Sequence, residues 1–188
     1  MSGIVGIINL KSEETLQARH VERMNNTIKH RGPDDEGYVL FNDNAHSFSG
    51  KDTSSFVEKE NAPSYYPLNH IREAYELRSR IAFGSRRLCI TKTQCSDHQP
   101  MSYKNRYWMV YDGEIFNVSE INDELSKEGY AFQTRSDSEV IIASYDYWGT
   151  NCFNKFNGNW AIVIYDTEEQ KLIISRDRFG IKPLYYYM

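Results

Sequence analysis

The first residues with a chemistry of their own are Met1 and Ser2, followed at once by the apolar run Gly3-Ile4-Val5-Gly6-Ile7-Ile8. Removal of Met1 would free an α-amine with a pKa of about 7.7–8.0 on the residue that carries the Ser2 hydroxyl. A hydroxyl with its own base can attack an amide without a histidine. The same residues also read as an ordinary first strand behind a small second residue. They are not a signal peptide: the run is short, lacks a basic start, and is followed by Lys11, Glu13 and Glu14.

The totals bound what such a nucleophile could serve. At 188 residues the chain fits a single domain, residues 1–188, with a long polar surface excursion from Asn42 to Ser79. Hydrophobic residues at 40% and charged residues at 26% are ordinary for a globular protein. A net charge of −4 and the lack of a basic cluster argue against a nucleic-acid partner. No apolar run reaches the roughly 18 residues of a membrane span. Cys89, Cys95 and Cys152 have neither disulfide-framework nor zinc spacing, so a reducing cytoplasm is the default expectation. GxxxxGK[ST], GxGxxG and HExxH are absent, so no nucleotide, metal or other cofactor is expected in this domain.

The elements that must position the chemistry follow from periodicity. Leu16, Ala18, Val21, Met24 and Ile28 predict a helix over Glu13 to Lys29, stopped by the turn cluster His30 to Gly37, after which Tyr38 to Phe41 reads as a strand. Leu68 to Leu77 reads as a short helix, and Arg80 to Ile90 as a strand or strand pair. Tyr107 to Tyr111 is an aromatic strand that Asp112-Gly113-Glu114 would end as a turn. Asn117 with Glu120, and Ser136 with Glu139, are capping signals for two further helices, the first closed by Gly129. Trp160 to Tyr165, Leu172 to Ser175 and Leu184 to Tyr187 read as closing strands. Strands at both ends with helices between them favour an α+β layered domain over a doubly wound one.

Six stretches in order resemble the glutaminase domain of glutamine-dependent asparagine synthetases, the class II glutamine amidotransferases. They are Met1 to Ile7; Arg31-Gly32-Pro33-Asp34; Arg86-Arg87-Leu88 with Gln99-Pro100-Met101; Asp112 to Asn117; Ser136 to Val140; and Arg176 to Tyr186. The resemblance implies a four-layer αββα N-terminal-nucleophile hydrolase sandwich that hydrolyses L-glutamine to glutamate and ammonia. It implies Ser2, Asp112 and Gly113 as catalytic positions, and Arg87, Leu88, Ile90, Thr91, Gly113, Glu114 and Asp137 as substrate-binding positions. Arg87 has the planar fork an α-carboxylate needs, and Glu114 and Asp137 are acceptors for an α-ammonium. As partners it implies an ATP-dependent synthetase domain or separate chain that takes the ammonia, with a homodimer among the assemblies left open. The Arg31 to Asp34 turn would line the site.

Two positions depart from the family pattern. Where the family has cysteine after the initiator Met, this chain has Ser2, a hydroxyl that depends wholly on its base. Where the family has an asparagine that donates to the oxyanion, this chain has Asp112, and an ionised carboxylate cannot donate; losing one such donor costs about a hundred- to a thousandfold in rate. A glutamine pocket with slow or no turnover is therefore expected. Two other readings stay open: a non-catalytic glutamine sensor or scaffold, and an N-terminal-serine amidase with another substrate.

Overall fold

The computed structural model describes residues 2–11, 15–54, 63–89, 98–132 and 136–188. The backbone divides into two compact units, Met1–Met101 and Ser102–Met188.

The first unit contains strands β1 (Gly3–Ile8), β2 (Leu16–Gln17), β3 (Asp35–Phe41), β4 (Ala45–Ser49), β5 (Asn69–His70), β6 (Arg78–Ser79) and β7 (Ile81–Arg87), with helix α1 (Ala18–Thr27). Its main sheet has the order β1-β7-β3-β4-β5, and β2 pairs with β6 separately. Strand alternation sends Tyr38, Leu40 and Ala82 to one face, where they pack with Ala18 and Val21 of α1 and with Phe48 and Ile71. Val39, Phe41 and Phe83, on the other face, are buried as well, and the rings of Phe41 and Phe83 meet edge to face at 5.5 Å. Each such aliphatic or aromatic side chain contributes about 1.5–3 kcal/mol by leaving water.

Three expectations change here. The helix begins at Ala18, not Glu13, because Leu16 and Gln17 pair with Ser79 and Arg78; residues 12–14 lie outside the described residues. The turn after it is shorter than expected, since β3 begins at Asp35. Asp35 and Glu36 are therefore buried strand residues, tolerable because His98 Nδ1 lies 2.9 Å from Asp35 and Arg86 Nη2 lies 2.7 Å from Glu36. The Leu68 to Leu77 helix is replaced by β5 and a single 3-10 turn Ile71–Ala74, with β6 starting just beyond, at Arg78. His70 caps that turn, accepting from the Arg72 N–H at 3.1 Å, while its own N–H donates to Glu73 at 2.9 Å.

The second sheet has the order β11-β10-β9-β8, from β8 (Met101–Tyr103), β9 (Tyr107–Ile115), β10 (Gly158–Asp166) and β11 (Lys171–Arg176). Helices α2 (Val118–Lys127), α3 (Asp137–Trp148) and α4 (Cys152–Lys155) lie between β9 and β10 in sequence. Helix α3 packs on β9 and α2, and its residues Ser138 to Tyr145 are all buried. The Ser136 hydroxyl caps it, accepting from the Glu139 N–H at 3.3 Å. Asn117 serves differently from expectation. Its side chain donates to the Lys155 carbonyl at 3.0 Å and accepts from the Asn157 N–H at 2.8 Å, tying the start of α2 to the entry of β10.

Two strand boundaries also change. Asp112-Gly113-Glu114 is not a turn: β9 stays paired with β10 from Tyr107↔Asp166 to Ile115↔Gly158. A nine-residue partner outweighs the local Asp-Gly signal. Leu184 to Tyr187 is not a strand, for among the described residues no neighbour pairs with it, and Tyr185, Tyr186 and Tyr187 are exposed.

Three carboxylates lock loops and set the acid response. Lys29 and Arg86 hold Asp52 below its ordinary pKa. Burial pushes Asp166 and Asp177 up, but hydrogen bonds outweigh it and both end lowered: the Arg106 fork and the Glu168 and Glu169 N–H groups act on Asp166, and four backbone N–H groups on Asp177. The folded protein thus binds fewer protons than the unfolded chain near the ordinary carboxylate value of about 3.9. The stability these groups contribute is complete above that value and is lost as pH falls through their folded pKa values. The midpoint of urea unfolding should be nearly level from about pH 7 to 5 and fall steeply below about pH 4.

Candidate active site

In the first unit the pairing of β1 with β7 assembles one corner. Gly3 lies opposite Arg86 and Ile4 opposite Ser85, so one further step in that register brings Ser2 level with Arg87. The Arg31 to Asp34 stretch closes the corner. Arg31 Nε donates to the Ser2 carbonyl at 2.9 Å, the Asp34 N–H donates to the Arg87 carbonyl at 3.0 Å, and the Asp34 side chain accepts from the Cys89 N–H at 2.8 Å. Gly32 is needed here because a Cβ would overlap the peptide between Arg86 and Arg87. Leu88 follows, part-exposed, while Ile90 and Thr91 lie outside the described residues.

The two neighbouring arginines have different tasks because strand alternation sends them to opposite faces. Arg86 is fully buried and part of the interior: its guanidinium contacts Glu36 at 2.7 Å and Asp52 at 2.9 Å and donates to the Asn25 carbonyl at 3.3 Å. Glu36 in turn accepts from the Tyr38 hydroxyl at 2.8 Å and the Asp52 N–H at 2.7 Å. Arg87 closes the strand beside the chain's beginning.

In the second unit Asp112, Gly113 and Glu114 run along β9 opposite Ala161, Trp160 and Asn159. Alternation puts Asp112 and Glu114 on one face, Asp112 buried and Glu114 exposed. Asp137, the first residue of α3, is reached by the Tyr111 hydroxyl at 3.0 Å, which fixes the helix start against β9. As an acid in a first helical turn it is also favoured by the helix dipole.

One participant was not expected from sequence. Lys182 Nζ lies 3.2 Å from Asp112 Oδ1, with side-chain exposures of 15% and 6%. The loop carrying it is built around Asp177. That carboxylate accepts from the N–H groups of Phe179 at 3.1 Å, Ile181 at 2.9 Å, Lys182 at 2.9 Å and Trp160 at 3.3 Å. Gly180 takes a φ of +66°, where a side chain would be strained and would strike the Arg176 guanidinium. The dense Asp177-x-Phe179-Gly180 turn was the sequence signal for this loop, but its reach to position 112 spans 70 residues.

Other chemistries find less support. Burial pushes the Cys152 thiol up to about 12, so it is not a nucleophile near neutral pH. Among the described residues no group of three or more His, Cys, Asp and Glu could hold a metal ion, and no helix is long and apolar enough to cross a membrane.

The comparisons with known proteins identify the family. The family model described as "Glutamine amidotransferase domain" matches residues 72–188, and the chain belongs to that family. It is of the asparagine-synthetase type: it is 33% identical over 189 residues to asparagine synthetase (glutamine-hydrolyzing) 1 of Bacillus subtilis, covering 99% of this chain and 24% of that protein. It is 28% identical to asparagine synthetase (glutamine-hydrolyzing) 3 of the same organism, covering 99% and 25%. The chain thus spans about a quarter of the length of these curated relatives. The solved glutamine phosphoribosylpyrophosphate amidotransferase from B. subtilis superposes with a TM-score of 0.66 at 19% identity, over 97% of this chain and 38% of that one. That likeness shows the fold, and the expected α+β sandwich of the N-terminal-nucleophile class is borne out.

Proposed function

We propose that the chain binds L-glutamine and hydrolyses it to glutamate and ammonia, at a rate limited by Ser2 and Asp112. The observation that supports this reading is the β1–β7 register, which ends with Gly3 opposite Arg86 and so brings the backbone of Ser2 to the level of Arg87. The fork of Arg87 suits the α-carboxylate, and Glu114 and Asp137 suit the α-ammonium. With Met1 removed, Ser2 Oγ adds to the side-chain carbonyl of glutamine and passes its proton to the α-amine. The tetrahedral adduct collapses, the α-ammonium returns the proton to the leaving ammonia, and an ester to Ser2 remains. Water, deprotonated by the same amine, cleaves that ester to glutamate. The Gly113 N–H is the backbone donor assigned to the adduct's oxyanion.

The ammonia would pass to an ATP-dependent synthetase domain or partner chain. The greater length of the relatives supports this, their names being those of glutamine-hydrolyzing asparagine synthetases. No cofactor is needed for the hydrolysis itself. The cysteine spacing, which fits neither a disulfide framework nor zinc, accords with a reducing cytoplasm.

Glutamate release, measured on a preparation whose intact mass shows Met1 removed, tests the reading. Slow release abolished by Ser2→Ala is the expected result. Glutamine binding without release, on protein that retains Met1, would instead favour a glutamine sensor.

A further inference from the structure

We infer that Lys182 stands in for the missing amide donor at position 112: its ammonium offsets the Asp112 charge and presents N–H groups to the oxyanion formed from glutamine. This rests on the glutaminase reading and deepens it. An aspartate alone at that position would repel the developing negative charge and donate nothing to it. The Asp112–Lys182 pair has no net charge. An ammonium has three N–H donors, and the contact with Asp112 at 3.2 Å needs one of them.

The placement of Lys182 is built rather than incidental. Lysine is among the residues least often buried, yet this side chain is only 15% exposed. Its backbone N–H is fixed on Asp177, the centre of a cage that also holds Phe179, Ile181 and Trp160, so the stem leaves the loop from a defined point. Asp112 sits in the middle of a paired strand, opposite Ala161, and cannot swing away. A part-buried ion pair adds little stability over an apolar pair of the same size. Its presence where the resemblance implies an oxyanion donor points to use in the reaction.

A coupling measurement separates this from a loop clamp. Four proteins, all with Ser2→Cys to give measurable turnover, carry no further change, Lys182→Gln, Asp112→Asn, or both, and glutamate release is followed over a range of glutamine concentrations. Lys182→Gln is expected to lower kcat by about a hundredfold with KM changed less than about threefold. Once Asp112→Asn has restored an amide, the same lysine change should cost no more than about threefold. Lys182→Arg, which keeps the charge and the donors, should retain most of the turnover. An equal loss in both backgrounds, or a loss confined to KM, would overturn the inference and leave Lys182 as a structural tie. Should Lys182→Gln alone fail to fold, a doubly changed protein as active as Asp112→Asn still supports it, and a nearly inactive one overturns it. Absence of turnover in all four would refute the glutaminase reading itself, and the inference with it.

Discussion

Ser2→Cys raises glutamate release from glutamine by on the order of a hundredfold, the low end of what a proton-accepting group is worth to a nucleophile that depends on one. A thiol near its ordinary pKa of about 8.5 is already a few per cent thiolate at pH 7 and intrinsically nucleophilic, so it leans less on the α-amine. Adding Asp112→Asn should contribute about tenfold more and not the full worth of an oxyanion donor, because Lys182 already offsets part of the deficit. Both gains fall on kcat. The residues proposed to bind glutamine, Arg87, Glu114 and Asp137, are untouched, so KM should stay within a few-fold. Steady-state kinetics on protein with Met1 removed checks this. A gain that appears only in KM would place position 2 in binding, not in chemistry.

Arg86→Met should destabilise the protein by about 3–5 kcal/mol, a large share of the roughly 5–15 kcal/mol that holds a domain together. The change removes a cation that contacts Glu36 at 2.7 Å and Asp52 at 2.9 Å and leaves the Glu36 carboxylate in the interior without it. Arg86→Lys should recover little, since one ammonium cannot reproduce a fork that also reaches the Asn25 carbonyl. Adding Glu36→Gln to Arg86→Met should recover part of the loss by removing the unpaired charge. Urea unfolding of the four proteins decides it. A cost below about 1 kcal/mol for Arg86→Met would mean that the network is not the structural centre of its unit.

Much of this was legible in sequence where local pattern and long-range pairing agree. β1, β7, β10 and β11 follow from runs of Ile, Val and Phe whose partners reward the same alternation. Reading failed where a partner far away overrode a local signal. Asp35-Glu36 and Asp112-Gly113 both look like turns, and both became strand because β7 and β10 pair through them. The run Tyr185-Tyr186-Tyr187 failed the other way, with strand-forming residues and, among the described residues, no strand to meet. At the candidate site the Gly32 turn that packs on Arg87 was readable. The division of labour between Arg86 and Arg87, and the tie from Lys182 to Asp112, were not, because each depends on which face of a strand a side chain takes and on contacts 34 to 70 residues away.

Calorimetric titration of L-glutamine into the purified chain and into Arg87→Ala bears most directly on the glutamine seat, because binding is independent of how fast Ser2 reacts. Saturable, one-to-one binding of the L-isomer, abolished by Arg87→Ala and not shown by D-glutamine, is the expected result. No heat from L-glutamine with the unaltered chain, or the same affinity after Arg87→Ala, would contradict it.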